Sequence, residues 1–253
     1  MSSRDLAGKT VLIIGASRGI GAATAMAFAR RGTHLVLASR DLKALEALAE
    51  ALPAGTQARV IHTDITVAAD IVRSVEFAVE QFGRLDIAFN NAGVSPKRTP
   101  LADLSEEAFD AALNTNVRGV FIAMKHQIRA MLKTGGGSIV NTGSISSMIV
   151  IPQMAAYCTS KHALAGLTKA AALDYAAQNI RVNLVAPGPV DTRMFQSGAG
   201  ATEQGREWVA SSTPMRRISR PEEIAEAVVW IASPAASYLT GSILPVDGGY
   251  TLP

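Results

Sequence analysis

Three side chains in the middle of the chain have the types and spacing that proton transfer requires: Ser144, Tyr157 and Lys161. Tyr157 and Lys161 are four residues apart, so on a helix of about 3.6 residues per turn both side chains lie on one face. An ammonium group beside a phenol favours the phenolate. We therefore expect Lys161 to lower the pKa of Tyr157 from its usual value of about 10 toward neutrality. A tyrosine tuned in this way can exchange a proton with an alcohol or carbonyl oxygen, and Ser144 could hydrogen-bond the same oxygen.

The surrounding residues predict the elements that would position this trio. Residues 155–177 are rich in Ala, with leucines spaced along one side, and predict the helix that carries the tyrosine and the lysine. Residues 138–142 predict an apolar strand, and Ser144 lies on the loop that leaves it. The Tyr-x-x-x-Lys spacing by itself also fits a solvated helix face on which the lysine stem lies along the ring, so the rest of the chain must decide between the two interpretations.

A glycine-rich loop near the N-terminus lies in the context of a phosphate-binding site. Residues 9–14 predict a buried strand, the loop Gly15-Ala16-Ser17-Arg18-Gly19-Ile20-Gly21 follows at once, and an Ala-rich helical pattern continues to about residue 31. The glycines permit a tight turn and close approach to a pyrophosphate, while the helix N-terminus offers N–H groups and a partial positive charge. The spacing differs from the general Gly-x-Gly-x-x-Gly fingerprint, and a purely structural turn is the alternative.

The end of the second predicted strand, residues 34–38, indicates which nicotinamide dinucleotide would bind. About 20 residues past the glycine loop, an acidic residue would hold the ribose 2′-hydroxyl of NAD, but this chain has Ser39 followed by Arg40. A guanidinium suits a 2′-phosphate, and Arg18 can approach the same phosphate from the other side. We therefore predict NADP(H) over NAD(H), and we expect Asp41 to cap the next helix. The alternative is that both arginines face water.

Strands and helices alternate along the whole chain, with no linker or repeat. This alternation predicts an α/β fold: a single doubly wound Rossmann-type domain over residues 1–253, with a seven-stranded parallel sheet flanked by helices. Residues 189–215 contain three glycines and no clear periodicity. We therefore predict a long substrate loop, or lid, in this segment.

Composition argues against several other classes of protein. The net charge of +3 comes from scattered basic residues without interleaved aromatic ones, so we expect no nucleic-acid partner. No apolar stretch reaches the length of a membrane span, and we expect no membrane association. A single cysteine fits a reducing compartment, which predicts a cytoplasmic protein. The four histidines lack zinc spacing, so we predict no metal site, and the Gly-x-Ser-x-Gly pattern of a hydrolase is absent around Ser144.

Taken together, these motifs resemble the short-chain dehydrogenase/reductase family, in its branch of about this chain length. The matching positions span the chain: Gly15–Gly21, Asp64, Asn90–Gly93, Asn116, Ser144, Tyr157, Lys161, Pro187-Gly188, Thr192 and residues 240–249. One departure is Ile14, where the family usually has Thr before the first glycine, and which would loosen a hydrogen bond in the turn.

The resemblance implies hydride transfer between a nicotinamide and a carbonyl or secondary alcohol carbon. Tyr157 would be the general acid or base, Ser144 would orient the oxygen, Lys161 would hydrogen-bond the nicotinamide ribose, and Asn116 would anchor a water that relays protons to Lys161. The residues implied around the cofactor are Gly15, Ser17, Arg18, Gly19, Ile20 and Gly21; Ser39 and Arg40; Asp64 and Ile65 at the adenine; Asn91, Ala92 and Gly93; Tyr157 and Lys161; Pro187 and Gly188; and Val190 and Thr192 at the carboxamide.

The resemblance leaves some alternatives open. One is an NAD-dependent dehydrogenase of the same family, another a non-catalytic dinucleotide-binding regulator, and a third an epimerase or dehydratase, although those relatives usually have longer chains with a substrate domain. The expected substrate is a small carbonyl or alcohol compound. Residues 109–133 and 156–177 are expected to pair across two-fold axes, giving a homodimer or homotetramer.

Overall fold

A parallel β-sheet of seven strands forms the centre of the molecule in a computed structural model that describes residues 6–252. The strand order is β3-β2-β1-β4-β5-β6-β7. The strands are β1 (Thr10–Ile14), β2 (His34–Ser39), β3 (Ala58–His62), β4 (Ile87–Asn90), β5 (Gly137–Thr142), β6 (Ile180–Pro187) and β7 (Ile243–Val246). The predicted class, strand number and parallel pairing are confirmed.

Nine α-helices accompany these strands in the described residues. They are α1 (Gly19–Ala29), α2 (Leu42–Ala51), α3 (Ala68–Phe82), α4 (Glu106–Leu113), α5 (Gly119–Leu132), α6 (Ala155–Tyr175), α7 (Arg193–Gln196), α8 (Glu203–Ser212) and α9 (Pro221–Ala232). No helix within residues 6–252 is both long and apolar enough to span a lipid bilayer.

The sheet is covered on both faces, which explains why most residues of its central strands are apolar. All five residues of β1 are buried. Leu12 and Ile14 point into the core shared with α3, α5 and α6, while Val11 and Ile13 point into the core shared with α1, α2 and α9. Successive side chains of a strand alternate between faces, so a strand with helices on both sides has to be apolar at every position.

The strand order reverses between β1 and β4, and this is where the molecule has room for a ligand. Ile14 of β1 pairs with Ala38 of β2 on one side and with Asn90 of β4 on the other. The chain leaves β1 into the glycine loop and leaves β4 into Asn91. In open parallel sheets, ligands bind outside the carboxyl ends of the strands at such a reversal.

The segment 189–215 is not the irregular loop that its sequence suggested. It contains α7 and α8, each capped by a threonine: Thr192 Oγ1 accepts from Phe195 N at 3.4 Å, and Thr202 Oγ1 from Gly205 N at 3.1 Å. Helix α8 buries only Val209 and has a glycine in its first turn. The sequence of α8 therefore shows little of the apolar periodicity that predicts a helix. Only the two capping threonines could have indicated α7 and α8 from the sequence.

The long helical segment predicted over residues 109–133 is divided by a π turn, Asn114–Arg118, between α4 and α5. The Gly119 N–H donates to the carbonyl of Asn114 across this wider turn. A Cβ on Gly119 would overlap the carbonyl oxygen of Ile65, so only glycine allows the helix to approach this residue, three positions past β3, so closely. The π turn places Asn116 in the interior, where its side chain hydrogen-bonds Val94 and Ser160, the residue before Lys161.

Candidate active site

The three residues that suggested proton transfer meet at the carboxyl end of β5. Tyr157 and Lys161 lie on one face of α6, with the Lys161 Nζ 5.6 Å from the centroid of the tyrosine ring. Ser144 is two residues past β5, where its Oγ caps a short 3₁₀ turn by accepting from Ser146 N at 3.1 Å. Lys161 is 4% exposed and Ser144 9%. The site is therefore built from the end of a strand and the first two turns of a helix, both firmly packed.

Burial shifts the pKa values of Tyr157 and Lys161 in opposite directions. It lowers the pKa of the Lys161 ammonium to about 8. It raises the pKa of Tyr157, and a hydrogen bond with Ser144 opposes that rise only in part. The expectation that Lys161 would pull the pKa of Tyr157 toward neutrality is wrong for this structure. The Lys161 Nζ instead donates to the carbonyl of Thr142 at 2.8 Å, and the cost of burying a phenolate is the largest influence on the pKa of Tyr157.

Asn116 ties the residues after β4 to α6. Its Nδ2 donates to the carbonyl of Val94 and to Ser160 Oγ, each at 2.9 Å, and its Oδ1 accepts from Val94 N at 2.9 Å. Both amide protons are therefore in use. A water that relays protons would have to bind the remaining lone pair of Oδ1 or the main-chain carbonyl. The predicted water-anchoring role stays a prediction, and the observed role is to hold Gly93 and Val94 beside Lys161.

The glycine loop has the shape and the free donors that a pyrophosphate needs. Gly15 and Gly19 have φ values of +90° and +54°, which side chains rarely allow. Ser17, Arg18 and Ile20 complete the loop, and no side chain caps the first turn of α1. Its N–H groups are therefore open to an anion.

Hydrogen bonds from the main chain and from the Asn91 side chain fasten this loop to the residues that follow β4. Asn91 Nδ2 donates to the carbonyl of Gly15 at 2.9 Å, while the N–H groups of Asn91 and Ala92 both donate to the carbonyl of Ile14 at 2.9 Å. The turn that was expected to loosen at Ile14 is thus held through its main chain. A Cβ on Gly93 would lie 3.2 Å from Asn116 Oδ1 and 3.7 Å from Lys161 Nζ, so bare backbone borders the catalytic groups.

Arg18 and Arg40, the two arginines predicted to hold a 2′-phosphate, both lie near the end of β2, but each faces a carboxylate. Arg18 Nη2 donates to Asp41 Oδ2 at 2.8 Å. Arg40 lies 3.9 Å from Asp64 Oδ2 and is largely exposed. Asp41 caps α2 as predicted, with Oδ1 accepting from Ala44 N at 3.1 Å, but its pairing with Arg18 was not anticipated. No local signal could have indicated it, since the two residues are 23 positions apart.

The residues predicted for the adenine end surround the start of α3. Asp64 Oδ1 accepts from the N–H and the hydroxyl of Thr66 at 2.8 and 2.7 Å, and these bonds hold the pKa of Asp64 below its usual value. Ile65 is buried beside Gly119. Ser39 is also buried, and its Oγ accepts from Asp41 N at 3.1 Å. This end of the site is thus a set of short turns at neighbouring strand ends.

The residues predicted for the carboxamide end continue from β6. Pro187 ends the strand, and Gly188 approaches Asp247 so closely that a Cβ would lie 2.8 Å from its Cα. Val190 is buried and bridges to Ser219. Thr192 Cγ2 lies 3.1 Å from where a Cβ on Gly19 would stand, so this segment closes over the glycine loop.

An ion pair that the sequence did not reveal ties helix α8 to this segment. Arg206 donates twice to Asp191, with both N–O distances 3.1 Å, and Gln196 Nε2 donates to Asp191 Oδ1 at 3.0 Å. Asp191 stands between Val190 and Thr192, so the helices of segment 189–215 are fastened to the predicted carboxamide contacts. Within the described part of the chain, no three His, Cys, Asp or Glu residues are grouped as metal ligands.

Comparison with known proteins places this geometry among oxidoreductases. The family model described as enoyl-(acyl carrier protein) reductase matches residues 15–251. The chain is 45% identical to the A-factor type gamma-butyrolactone 1′-reductase (1S-forming) of Streptomyces virginiae, over 98% of this chain and 97% of that one. It is 40% identical to a 2,5-dichloro-2,5-cyclohexadiene-1,4-diol dehydrogenase of Sphingobium indicum, over 98% of both chains. A crystal structure of a short-chain type dehydrogenase/reductase from Mycobacterium marinum superposes with a TM-score of 0.93 at 38% identity, covering 98% of each chain.

Proposed function

The chain belongs to the short-chain dehydrogenase/reductase family of nicotinamide-dependent oxidoreductases, and we propose that it transfers a hydride between NADP(H) and the carbonyl or secondary alcohol carbon of a small molecule, with Tyr157 as general acid and base. One observation carries the mechanistic part. Tyr157 and Lys161 lie beside the bare backbone of Gly93, and the first glycine of the glycine loop, Gly15, packs against the neighbouring residues Asn91 and Ala92. A catalytic group and a pyrophosphate cradle are thus placed for one extended dinucleotide.

The described residues fit a dinucleotide, because the first turn of α1 has no side-chain cap and its N–H groups can bind an anion. The bound nicotinamide supplies or accepts the hydride. Tyr157 carries its proton at neutral pH, since burial raises its pKa, and can donate that proton to a carbonyl oxygen during reduction. Lys161, with a pKa of about 8, is mostly an ammonium at pH 7 and stabilises the phenolate left behind. Ser144 holds the substrate oxygen toward Tyr157.

Ring-shaped ketones and alcohols are the substrate class that we propose. The two curated relatives named above act, by their names, on a butyrolactone and a cyclohexadienediol. In this chain, Pro96, Gln153 and Met154 line the depression next to Tyr157, and only Lys97 contributes a charge to its lining. The scarcity of charge beside Tyr157 favours a weakly polar substrate over a charged one. Segment 189–215, fastened by Asp191 and Arg206, is the proposed lid.

Cofactor choice is tested together with turnover. We expect consumption of NADPH with at least one member of a panel of substituted cyclic ketones, and a lower Kd for NADPH than for NADH. Charge-assisted bonds of about 1.5–3 kcal/mol each at Arg18 or Arg40 would produce a preference of about tenfold or more, since 1.4 kcal/mol is a factor of ten. The double variant Ser39→Asp, Arg40→Ala tests this assignment. It should lose most of the preference for NADPH over NADH, because it binds NADPH more weakly. Equal wild-type affinities for the two cofactors would refute the NADP(H) assignment, and turnover of any ketone would exclude a non-catalytic regulator.

We also propose that the protein is a homodimer or homotetramer. A cleft of about 810 Å³ between the α4–α5 segment and α6 is lined by apolar side chains, including Leu113, Val117 and Leu167. Phe121 beside it is 48% exposed. A mainly apolar surface shared by two neighbouring helices is typical of an interface between copies.

Light scattering at micromolar concentration should therefore give two or four times the 26.5 kDa of one chain. Phe121→Glu, which places a charge in the interface, should shift the protein toward the monomer, whereas the exposed Tyr238→Glu should not. A wild type that runs only at 26.5 kDa would refute the proposed assembly.

A further inference from the structure

Arg18, one of the two arginines predicted to hold a 2′-phosphate, is already paired with a carboxylate. Asp41 and Arg18 form an ion pair of 2.8 Å, with side chains 43% and 47% exposed. Exposed pairs contribute at most about 1 kcal/mol, so Arg18 can leave Asp41 for a stronger partner. A phosphate that recruits Arg18 would nevertheless remain close to the carboxylate, because the two anions share one cation.

Two further hydrogen bonds prevent Asp41 from moving away. Its Oδ1 accepts from Ala44 N at 3.1 Å as the cap of α2, and its own N–H donates to Ser39 Oγ at 3.1 Å. The N-terminus of α2 also favours a negative charge at this position. The Asp41 carboxyl group is therefore held in one place, while the Arg18 side chain is long and half exposed.

Arg40 has a different environment. Its closest carboxylate oxygen, on Asp64, is 3.9 Å away, and the other oxygen of Asp64 is engaged by Thr66. Arg40 gives up little when it turns to a phosphate. Of the two carboxylates near the arginines, only Asp41 makes a close contact that binding of a 2′-phosphate would have to break.

We infer that Asp41 is a specificity-determining residue that weakens the preference for NADP(H) by competing with the 2′-phosphate for Arg18. This inference rests on the proposed function. It also means that an acidic residue two positions past the end of β2 affects cofactor choice, although Ser39 occupies the position where NAD-binding proteins carry their carboxylate.

The test uses Asp41→Asn, because Asn caps a helix as well as Asp and leaves α2 intact. Binding of adenosine 2′,5′-bisphosphate and of 5′-AMP is measured by calorimetry, which reports on the 2′-phosphate without any turnover. Affinity for the bisphosphate should rise about three- to tenfold in the variant, because the Arg18–Asp41 ion pair no longer has to break and Asp41 no longer repels the 2′-phosphate. Affinity for 5′-AMP, which lacks that phosphate, should stay within about twofold of the wild-type value. Asp41→Ser, which also caps helices, should give the same result. When Arg18 is first replaced by Met, the same Asp41→Asn substitution should raise the logarithm of the bisphosphate affinity by at most half as much as it does in the wild-type background.

The outcomes are distinguishable. An unchanged or reduced affinity of Asp41→Asn for the bisphosphate overturns the inference while leaving the proposed function in place. A full gain in the Arg18→Met background overturns it as well, because Asp41 would then act without Arg18. A wild-type protein that binds neither NADPH nor NADH removes the proposed function and this inference together. Equal thermal unfolding midpoints of wild type and variant show that the comparison concerns binding alone.

Discussion

Tyr157→Phe lowers kcat at least about 100-fold and leaves the Kd for NADPH within about threefold of the wild-type value. General acid–base groups contribute about 10²–10⁴-fold to rates, and the hydroxyl of Tyr157, on the ring that Lys161 faces, carries the proton proposed to move to the substrate oxygen. The ring itself is retained, so packing of α6 and the cofactor cleft should be unchanged. Steady-state kinetics with a cyclic ketone and calorimetry with NADPH measure the two quantities.

The control for this variant is Tyr238→Phe, because Tyr238 is fully exposed and removing its hydroxyl should alter neither kcat nor binding. A primary deuterium isotope effect with labelled NADPH establishes whether hydride transfer limits the rate. If Tyr157→Phe retains more than a tenth of the wild-type kcat under conditions where chemistry is rate-limiting, Tyr157 is not the proton donor.

Gly21→Ala weakens binding of either dinucleotide by about 10- to 100-fold. A Cβ at this position would overlap the carbonyl oxygen of Gly15 and lie 2.9 Å from Asn91 Nδ2, so it would disrupt the hydrogen bond that fastens the glycine loop to the residues after β4. Overpacking of this kind costs about 1–3 kcal/mol, and the loop can relieve it only by leaving the shape that accepts a pyrophosphate. Fluorescence titration with NADPH and NADH measures the loss.

Gly55→Ala is the matched control for this second prediction. Gly55 has a φ of +83°, a backbone conformation that favours glycine, but nothing lies within 4 Å of an added Cβ. The Gly55→Ala substitution should therefore lower the free energy of unfolding by about 1 kcal/mol through backbone strain and leave dinucleotide binding unchanged. Wild-type affinity in a folded Gly21→Ala protein would show that the glycine loop is not the pyrophosphate site.

The sequence by itself determined the fold and which residues meet. Alternation of apolar runs with helical patterns fixes a parallel sheet covered on both faces, and in such a sheet the strand ends come together at one edge. The glycine loop after β1, the residues after β4 and Ser144 after β5 therefore had to be neighbours. The four-residue spacing of Tyr157 and Lys161 fixed their shared helix face without any tertiary information, because it depends only on helix geometry.

The tertiary structure decided what sequence spacing cannot express, namely burial and contacts between distant residues. The direction of the Tyr157 pKa was predicted wrongly because desolvation depends on everything packed around a group, whereas sequence spacing shows only the nearby charge. The pairing of Arg18 with Asp41, and of Asp191 with Arg206, joins residues whose separation carries no periodic signal. Helix α8 was missed because it buries a single apolar side chain. Asn116 could be identified as a site residue from the resemblance, but its full set of hydrogen bonds to Val94 and Ser160 exists only because a π turn rotates it into the interior.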